Sequence, residues 1–255
     1  MLTVGSKVVL VTGGAQGIGH ATAANLARHG AKVVVSDIDP ARGSETVARI
    51  SAAGDEAIFL EHDVTLEGDW KRVVAETLSR FGRLDALFNN AGVYVIAELA
   101  ETTVEAWNRL MAVNVTGTFL GMKHGSAAMM QSGGGSIVNA SSIAAMSGSP
   151  GHVLYGASKG AIRAMSKDAA AELGAANIRV NSIHPGYTTT AMADYGAEIA
   201  GRTIQELGRE ASVLGRLASP DDIAHLVMYL ISDEAAYITG SEVVIDGGAL
   251  SRIKV

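Results

Sequence analysis

The sequence predicts a single-domain α/β protein, a doubly wound parallel sheet of about seven strands with helices on both faces. Three observations carry that expectation. Short β-branched runs alternate with helical stretches, the pattern of βαβ units. The strand interiors are continuous Val, Ile and Leu rather than alternating apolar and polar, as burial on both faces requires. No linker, low-complexity tract or short repeat divides residues 1–255, so one domain is the better count.

The elements follow in order. Residues 7–11 (KVVLV) are a strand, and the glycine-rich turn 12–19 leads into a helix reaching about residue 28. Residues 31–36 form a second strand, closed by Asp37 and the Asp39-Pro40 pair, with a helix over 41–53 behind it. A strand at 56–60, a helix at 67–81 and a strand at 84–88 come next, the last broken by Asn89-Asn90-Ala91-Gly92. One long helix is expected near 103–121, then a strand at 136–140 and a helix carrying Tyr155. The strand 178–183 precedes a mobile-looking Gly/Ala/Thr-rich stretch, 187–212, which reads as a substrate lid or as a variable surface excursion. A helix at 220–230 and a strand at 242–246 close the pattern.

Composition narrows the class. Thirty glycines, 48% hydrophobic and only 5% aromatic residues suit helices lying close on a parallel sheet. A net charge of −6 without a block of like charges argues against nucleic acid or an anionic membrane as partner. Cysteine is absent, which excludes disulfides, thiolate metal sites and a cysteine nucleophile. None of the seven histidines pairs at metal-ligand spacing, so no metal is expected. The N-terminal stretch lacks a basic region or cleavage-like segment, and no apolar run approaches the ~18 residues of a membrane span. A cytoplasmic location is the expectation.

The chemistry centres on Ser142 and Tyr155-Gly-Ala-Ser-Lys159. Four residues apart on a helix, Tyr155 and Lys159 share a face, about 6 Å apart along the axis. Ser142, at the mouth of the strand 136–140, can aim its hydroxyl at the same spot. A phenol, an ammonium and an alcohol at the carboxyl end of a sheet suit proton transfer to or from an alcohol oxygen. A free tyrosine ionises near pH 10, and an adjacent ammonium should bring that value down. Alone, such a Tyr/Lys pair is also compatible with an ordinary surface helix.

Gly13, Gly17 and Gly19, with Gln16 and Ile18 between them, turn the first strand into the first helix. Glycines there let backbone N–H groups approach a pyrophosphate. Asp37, ending the second strand, can accept hydrogen bonds from an adenosine ribose and would repel a 2′-phosphate. Its successor is Ile38, so the cofactor expectation is NAD over NADP, with Arg42 the one basic residue nearby. Asp63 and Val64 can meet the adenine, although Asp63 reads equally as a helix-capping acid. Asn90, Ala91 and Gly92 offer small residues where backbone must pass close to a nucleotide, or an ordinary turn. Asn114 reads on its own as a buried amide within an apolar helix.

These pieces together resemble the short-chain dehydrogenase/reductase family, in its single-domain branch of about 250 residues. Thr12-Gly-x-x-x-Gly-Ile-Gly19, Asn89-Asn-Ala-Gly92, Asn114, Ser142, Tyr155-x-x-x-Lys159 and Pro185-Gly186 stand in that family's order and spacing, over about residues 5–250. The resemblance implies a Rossmann fold and hydride transfer between a nicotinamide cofactor and an alcohol or ketone. It makes Tyr155 the general acid/base and Ser142 the group holding the reacting oxygen. It assigns Lys159 to the nicotinamide ribose and to lowering the tyrosine's pKa, and Asn114 to holding a water beside Lys159. Pro185 and Gly186 would face the nicotinamide, and Thr188 its carboxamide or the phosphates. Family members usually form dimers or 222 tetramers, which makes a homotetramer the expectation and a homodimer its alternative.

The candidates for substrate contact are Tyr94, Ala144, His152, Tyr187 and Met192, with packing roles as the plainer reading for about half of them. Without an arginine or lysine poised for an anion, an uncharged, largely hydrophobic alcohol or ketone fits best. A 3-oxoacyl thioester reductase on the same fold is disfavoured by Asp37 and the acidic balance. A non-catalytic nucleotide-binding regulator has no reason to keep Asn114, Ser142, Tyr155 and Lys159 together.

Overall fold

The computed structural model describes residues 2–251. Seven strands form one parallel sheet in the order β3-β2-β1-β4-β5-β6-β7. They are β1 (Val8–Thr12), β2 (Lys32–Asp37), β3 (Ala57–Glu61), β4 (Ala86–Asn89), β5 (Gly135–Ala140), β6 (Ile178–Pro185) and β7 (Glu242–Ile245). The helices are α1 (Gly17–Arg28), α2 (Pro40–Ala52), α3 (Glu67–Phe81), α4 (Val104–Met111), α5 (Gly117–Gln131), α6 (Val153–Leu173), α7 (Ala191–Ile199), α8 (Ile204–Ala211) and α9 (Pro220–Ile231). None of them is long and apolar enough to cross a membrane.

The uninterrupted apolar strands split by parity, because successive side chains leave a strand on opposite faces. Val9, Val11, Val33, Val35 and Phe88 pack with Leu26 of α1 and Val227 of α9 on one face. Val8, Leu10, Val34 and Leu87 pack with Trp70 of α3, Leu120 and Met129 of α5 and Ala170 of α6 on the other. The chain reverses its winding between β1 and β4. Ligands of open α/β sheets bind in the crevice beyond the carboxyl ends of the strands at such a point.

Two expectations about elements are corrected. The helix expected near 103–121 is α4, one π turn (Ala112–Thr116) and α5, which runs on to Gln131. Gly117, Gly121 and Gly125 do not end it, because they form a stripe laid against the core. A Cβ on Gly121 would stand 2.2 Å from Asn89 Oδ1 and 2.7 Å from Trp70, and one on Gly125 2.8 Å from Leu87. The mobile-looking stretch 187–212 is largely helical, containing α7 and α8. Thr203 and Glu206 cap α8 reciprocally, and Ala193, Ala197, Leu207 and Leu217 form a small core of their own with Tyr187 and Ile204 packed on it.

Candidate active site

Two turns are stitched together at the switch point. Thr12 Oγ1, at the end of β1, accepts from the N–H groups of Asn90 (3.0 Å) and Ala91 (3.1 Å) after β4. Asn90 Nδ2 donates back to the carbonyls of Thr12 (2.9 Å) and Gly13 (3.1 Å). The approach is so close that a Cβ on Gly13 would stand 2.9 Å from Ala91 Cα. Gly13 and Gly17 have φ of +63° and +57°, in the left-handed region open to glycine at little cost. Gly19 lies against Gly13 O, where a Cβ would come within 2.2 Å, so its work is to seat α1 on the turn rather than to line the cleft.

Beside these turns lies a cleft of about 1040 Å³, lined by Gly13, Gln16, Gly17, Ile18, Asp37, Asp63, Val64, Asn90, Ala91 and Gly92, with residues 189–192 across it. Asp37 Oδ2 accepts from Ala15 N (3.0 Å) and Oδ1 from Asp39 N (3.1 Å), so the carboxylate also braces the glycine turn. Arg42 donates from its guanidinium to Gln16 Oε1 (3.0 Å), itself a cleft residue, and lies beside Asp39. Asp63 lines the cleft but does not cap α3, whose N-cap residue is Leu66; its carboxylate instead closes the loop ahead of that helix. Its Oδ1 accepts from Thr65 N (2.9 Å) and Thr65 Oγ1 (2.7 Å) just before α3.

The cleft continues into a chamber of about 180 Å³, lined by Ser142, Tyr155, Lys159, Pro185, Gly186 and Thr188 together with Tyr94, Ala144, His152, Tyr187 and Met192. All five substrate candidates thus face one space. Thr188 turns its hydroxyl back to Gly186 O (3.2 Å). Ser142 Oγ accepts from Ala144 N (3.2 Å), which leaves its proton free for a partner in the chamber, and its hydroxyl favours the charged form of the neighbouring Tyr155 phenol. Lys159 Nζ donates to Ala140 O (2.8 Å) and lies 5.5 Å from the Tyr155 ring centre. Tyr155 and Lys159 are both buried.

Asn114 sits in the π turn, fully buried. Its Oδ1 accepts from Val93 N (2.8 Å), and its Nδ2 donates to Val93 O (3.0 Å) and Ser158 Oγ (3.1 Å). For the water-holding role implied for it, the residue offers the second lone pair of Oδ1 and its backbone carbonyl, which also accepts from Thr118 Oγ1 (2.8 Å).

Comparison with known proteins agrees with this geometry. A family model described as Enoyl-(Acyl carrier protein) reductase matches residues 13–249. A cyclopentanol dehydrogenase of Comamonas testosteroni is 43% identical over 245 residues, covering 96% of this chain and 97% of the relative. A 3-alpha-(or 20-beta)-hydroxysteroid dehydrogenase of Mycobacterium tuberculosis is 40% identical over 247 residues, 97% of this chain and 90% of the relative. A 2,5-dichloro-2,5-cyclohexadiene-1,4-diol dehydrogenase of Sphingobium indicum is 40% identical over 242 residues, 95% of each. The crystal structure of a short-chain type dehydrogenase/reductase from Mycobacterium marinum superposes with a TM-score of 0.92 at 30% identity, over 98% of both chains. The chain belongs to the short-chain dehydrogenase/reductase family.

In this short-chain dehydrogenase/reductase, an oxidoreductase by family, burial opposes the effect expected of Lys159 on the Tyr155 phenol. Burial pushes the phenol up to about 12, against the opposing influence of Ser142, while burial draws the Lys159 ammonium down to about 8. The physical reason is that both groups have left water, and desolvation disfavours each charged form. The ammonium, moreover, spends a donor on Ala140 O.

Several supporting residues escaped the sequence reading. Ser141 Oγ donates to Lys159 O (2.9 Å) and Ser158 Oγ to Tyr155 O (2.8 Å), fixing the turn of α6 that carries both groups. His184 Nδ1 donates to Ser142 O (3.1 Å), holding the serine's backbone from β6. Thr12 is the hinge of the two stitched turns. Serines and a histidine inside apolar strands and helices were the available signal, but nothing in the spacing says which backbone carbonyl each one meets.

Proposed function

We propose that the protein is an NAD(H)-dependent oxidoreductase interconverting a cyclic secondary alcohol and its ketone, R₂CHOH + NAD⁺ ⇌ R₂CO + NADH + H⁺. The observation that carries this reading is the chamber itself. Ser142 and Tyr155 stand together in its wall, Lys159 is its one cation among the described residues, and it opens into a cleft of a size for a dinucleotide.

The residues fit that cofactor. The amino end of α1 carries no acidic residue in its first turn, leaving its N–H groups and dipole to a pyrophosphate. Asp37 would take the adenosine ribose, and its charge with Ile38 beside it favours NAD over NADP. Lys159 would bind the second ribose, while Gly92, Pro185 and Gly186 border the nicotinamide end. A bound nicotinamide supplies the hydride acceptor or donor. In ketone reduction Tyr155, protonated at neutral pH, gives its proton to the developing alkoxide, and Ser142 donates a hydrogen bond to the same oxygen. In alcohol oxidation the phenolate receives that proton, so the rate climbs with pH towards the tyrosine's ionisation.

The chamber has no Asp, Glu or Arg in its wall, which suits an uncharged substrate. Its volume lies under the ~300 Å³ at which pockets for drug-sized ligands begin, a fit for a single ring. The relative named for cyclopentanol acts on a single-ring alcohol by its name. The test is a panel of cyclic and open-chain alcohols with NAD⁺ and NADP⁺, followed by reduced-cofactor absorbance. Tyr155→Phe should lower turnover by 10²–10⁴-fold and abolish the rise with pH, with NADH binding kept within several-fold. Near-native turnover in that variant would refute the acid/base assignment.

A further inference from the structure

Tyr94 follows the Asn89–Gly92 turn and His152 precedes α6, and both line the chamber. The Tyr94 oxygen and His152 Nε2 are 2.6 Å apart. The other ring nitrogen, Nδ1, is 2.7 Å from Pro150 O. A carbonyl oxygen only accepts, so Nδ1 must carry a proton, and a neutral imidazole then has a bare Nε2. The Tyr94 hydroxyl is therefore the donor to Nε2. Burial favours the neutral phenol and keeps that proton on tyrosine. With its only proton committed, the Tyr94 oxygen has nothing left to offer the chamber except a lone pair.

The residue that carries it packs directly on Tyr155 in the same chamber. The Tyr94 ring meets the Tyr155 ring edge-on at 4.7 Å between centres and also contacts Tyr195 of α7 at 5.9 Å. Aromatic neighbours on both sides fix its orientation. The chamber therefore presents two phenol oxygens of different character: Tyr155 exchanges a proton with substrate, whereas Tyr94 only accepts. We propose that Tyr94, oriented by His152, is an acceptor subsite for a second hydroxyl, and that the preferred substrates are cyclic diols, oxidised at one carbinol while the other donates its proton to Tyr94. The balanced step is diol + NAD⁺ → hydroxyketone + NADH + H⁺, in which the second C–O and O–H bonds are untouched. The inference rests on the alcohol dehydrogenase reading and sharpens its substrate class.

The test compares cyclohexanol, the 1,2-, 1,3- and 1,4-cyclohexanediols and the mono-methyl ethers of the diols, each with NAD⁺. At least one diol should exceed cyclohexanol about tenfold in kcat/KM, the worth of one hydrogen bond of ~1.4 kcal/mol. Its mono-methyl ether, which can no longer donate, should lose that advantage in the wild-type protein. Tyr94→Phe should bring the diol-to-cyclohexanol ratio to about one, whatever its absolute rates. His152→Phe frees the Tyr94 proton, which an ether oxygen can accept, so in that variant the gap between the diol and its mono-methyl ether should narrow. An ether turned over as well as its parent diol, an undiminished ratio in Tyr94→Phe, or the lack of any diol advantage would each overturn the subsite. Turnover of no alcohol at all, cyclohexanol included, would instead overturn the dehydrogenase reading beneath it.

Discussion

At the scale of single residues, the site is governed by burial more than by charge pairing. Lys159 is drawn down to about 8 from 10.5 by desolvation alone. Below pH 8 its ammonium is charged in both the folded and the unfolded chain, and the full penalty of burying it is present. Between about 8 and 10.5 the unfolded chain binds more protons, so this group's contribution makes stability rise with pH. Tyr155 acts oppositely but only above about pH 10, where the unfolded chain loses a phenolic proton that the fold retains. Between pH 7 and 9.5, then, Lys159→Met should remove a rise in stability seen in the wild-type chain, read from urea midpoints at each pH. A parallel pair of pH curves would contradict the burial account. Asp37 allows a cleaner test of cofactor choice. Asp37→Asn keeps an oxygen for Ala15 N–H and removes the charge, so the kcat/KM ratio of NADP⁺ to NAD⁺ should rise by roughly tenfold or more. An unchanged ratio would dismiss the ribose assignment.

At the scale of elements, glycine means different things in different helices. Intrinsic propensity says that alanine improves a helical glycine by ~1 kcal/mol. At Gly68, in the first turn of α3 with nothing within 4 Å of an added Cβ, Gly68→Ala should stabilise by up to that amount. At Gly121 the same methyl would meet Asn89 Oδ1 and the Trp70 ring, and the sign reverses. Gly121→Ala should cost ~1–3 kcal/mol through overpacking. Thermal melts of the two variants under one condition decide it, and a stabilised Gly121→Ala would mean that α5 does not lie close on β4. That close approach bears on function as well. It seats the π turn so that the Asn114 amide reaches Val93 and Ser158, and Ser158 in turn ties down the carbonyl of Tyr155.

At the scale of the whole molecule, two exposed surfaces bear on assembly. Phe119 and Met130 of α5 and Val153 of α6 are nearly half exposed, and β7, carrying the exposed Val244, is an edge strand of the sheet among the described residues. An exposed edge strand and an exposed apolar helix face are both surfaces that proteins usually cover. Covering each by its own two-fold axis gives 222 symmetry, and on that ground a homotetramer is proposed. Light scattering should return four times the 26.2 kDa chain mass. A monomer would reject the assignment, and a dimer would leave one of the two surfaces without its partner.

What the sequence alone determined is whatever depends on short stretches of chain. Parity-split apolar runs set the parallel sheet, with the helix at Glu67–Phe81 read to the residue. Gly13, Asp37, Ser142, Tyr155 and Lys159 could be picked out because each stands at a strand end or on one helical face, where spacing translates directly into position. The tertiary structure decided what depends on which groups meet across the fold. It carried the helix expected to end near residue 121 on to Gln131 over a stripe of packed glycines, and it folded the Gly/Ala/Thr-rich stretch 187–212 into two helices around a small core. It also raised the tyrosine's pKa where a neighbouring ammonium alone would have lowered it. It joined Tyr94 to His152, fifty-eight positions apart. Periodicity reports on neighbours within a turn or a strand, whereas desolvation and hydrogen-bond partners are set by atoms that come together only when the chain closes on itself.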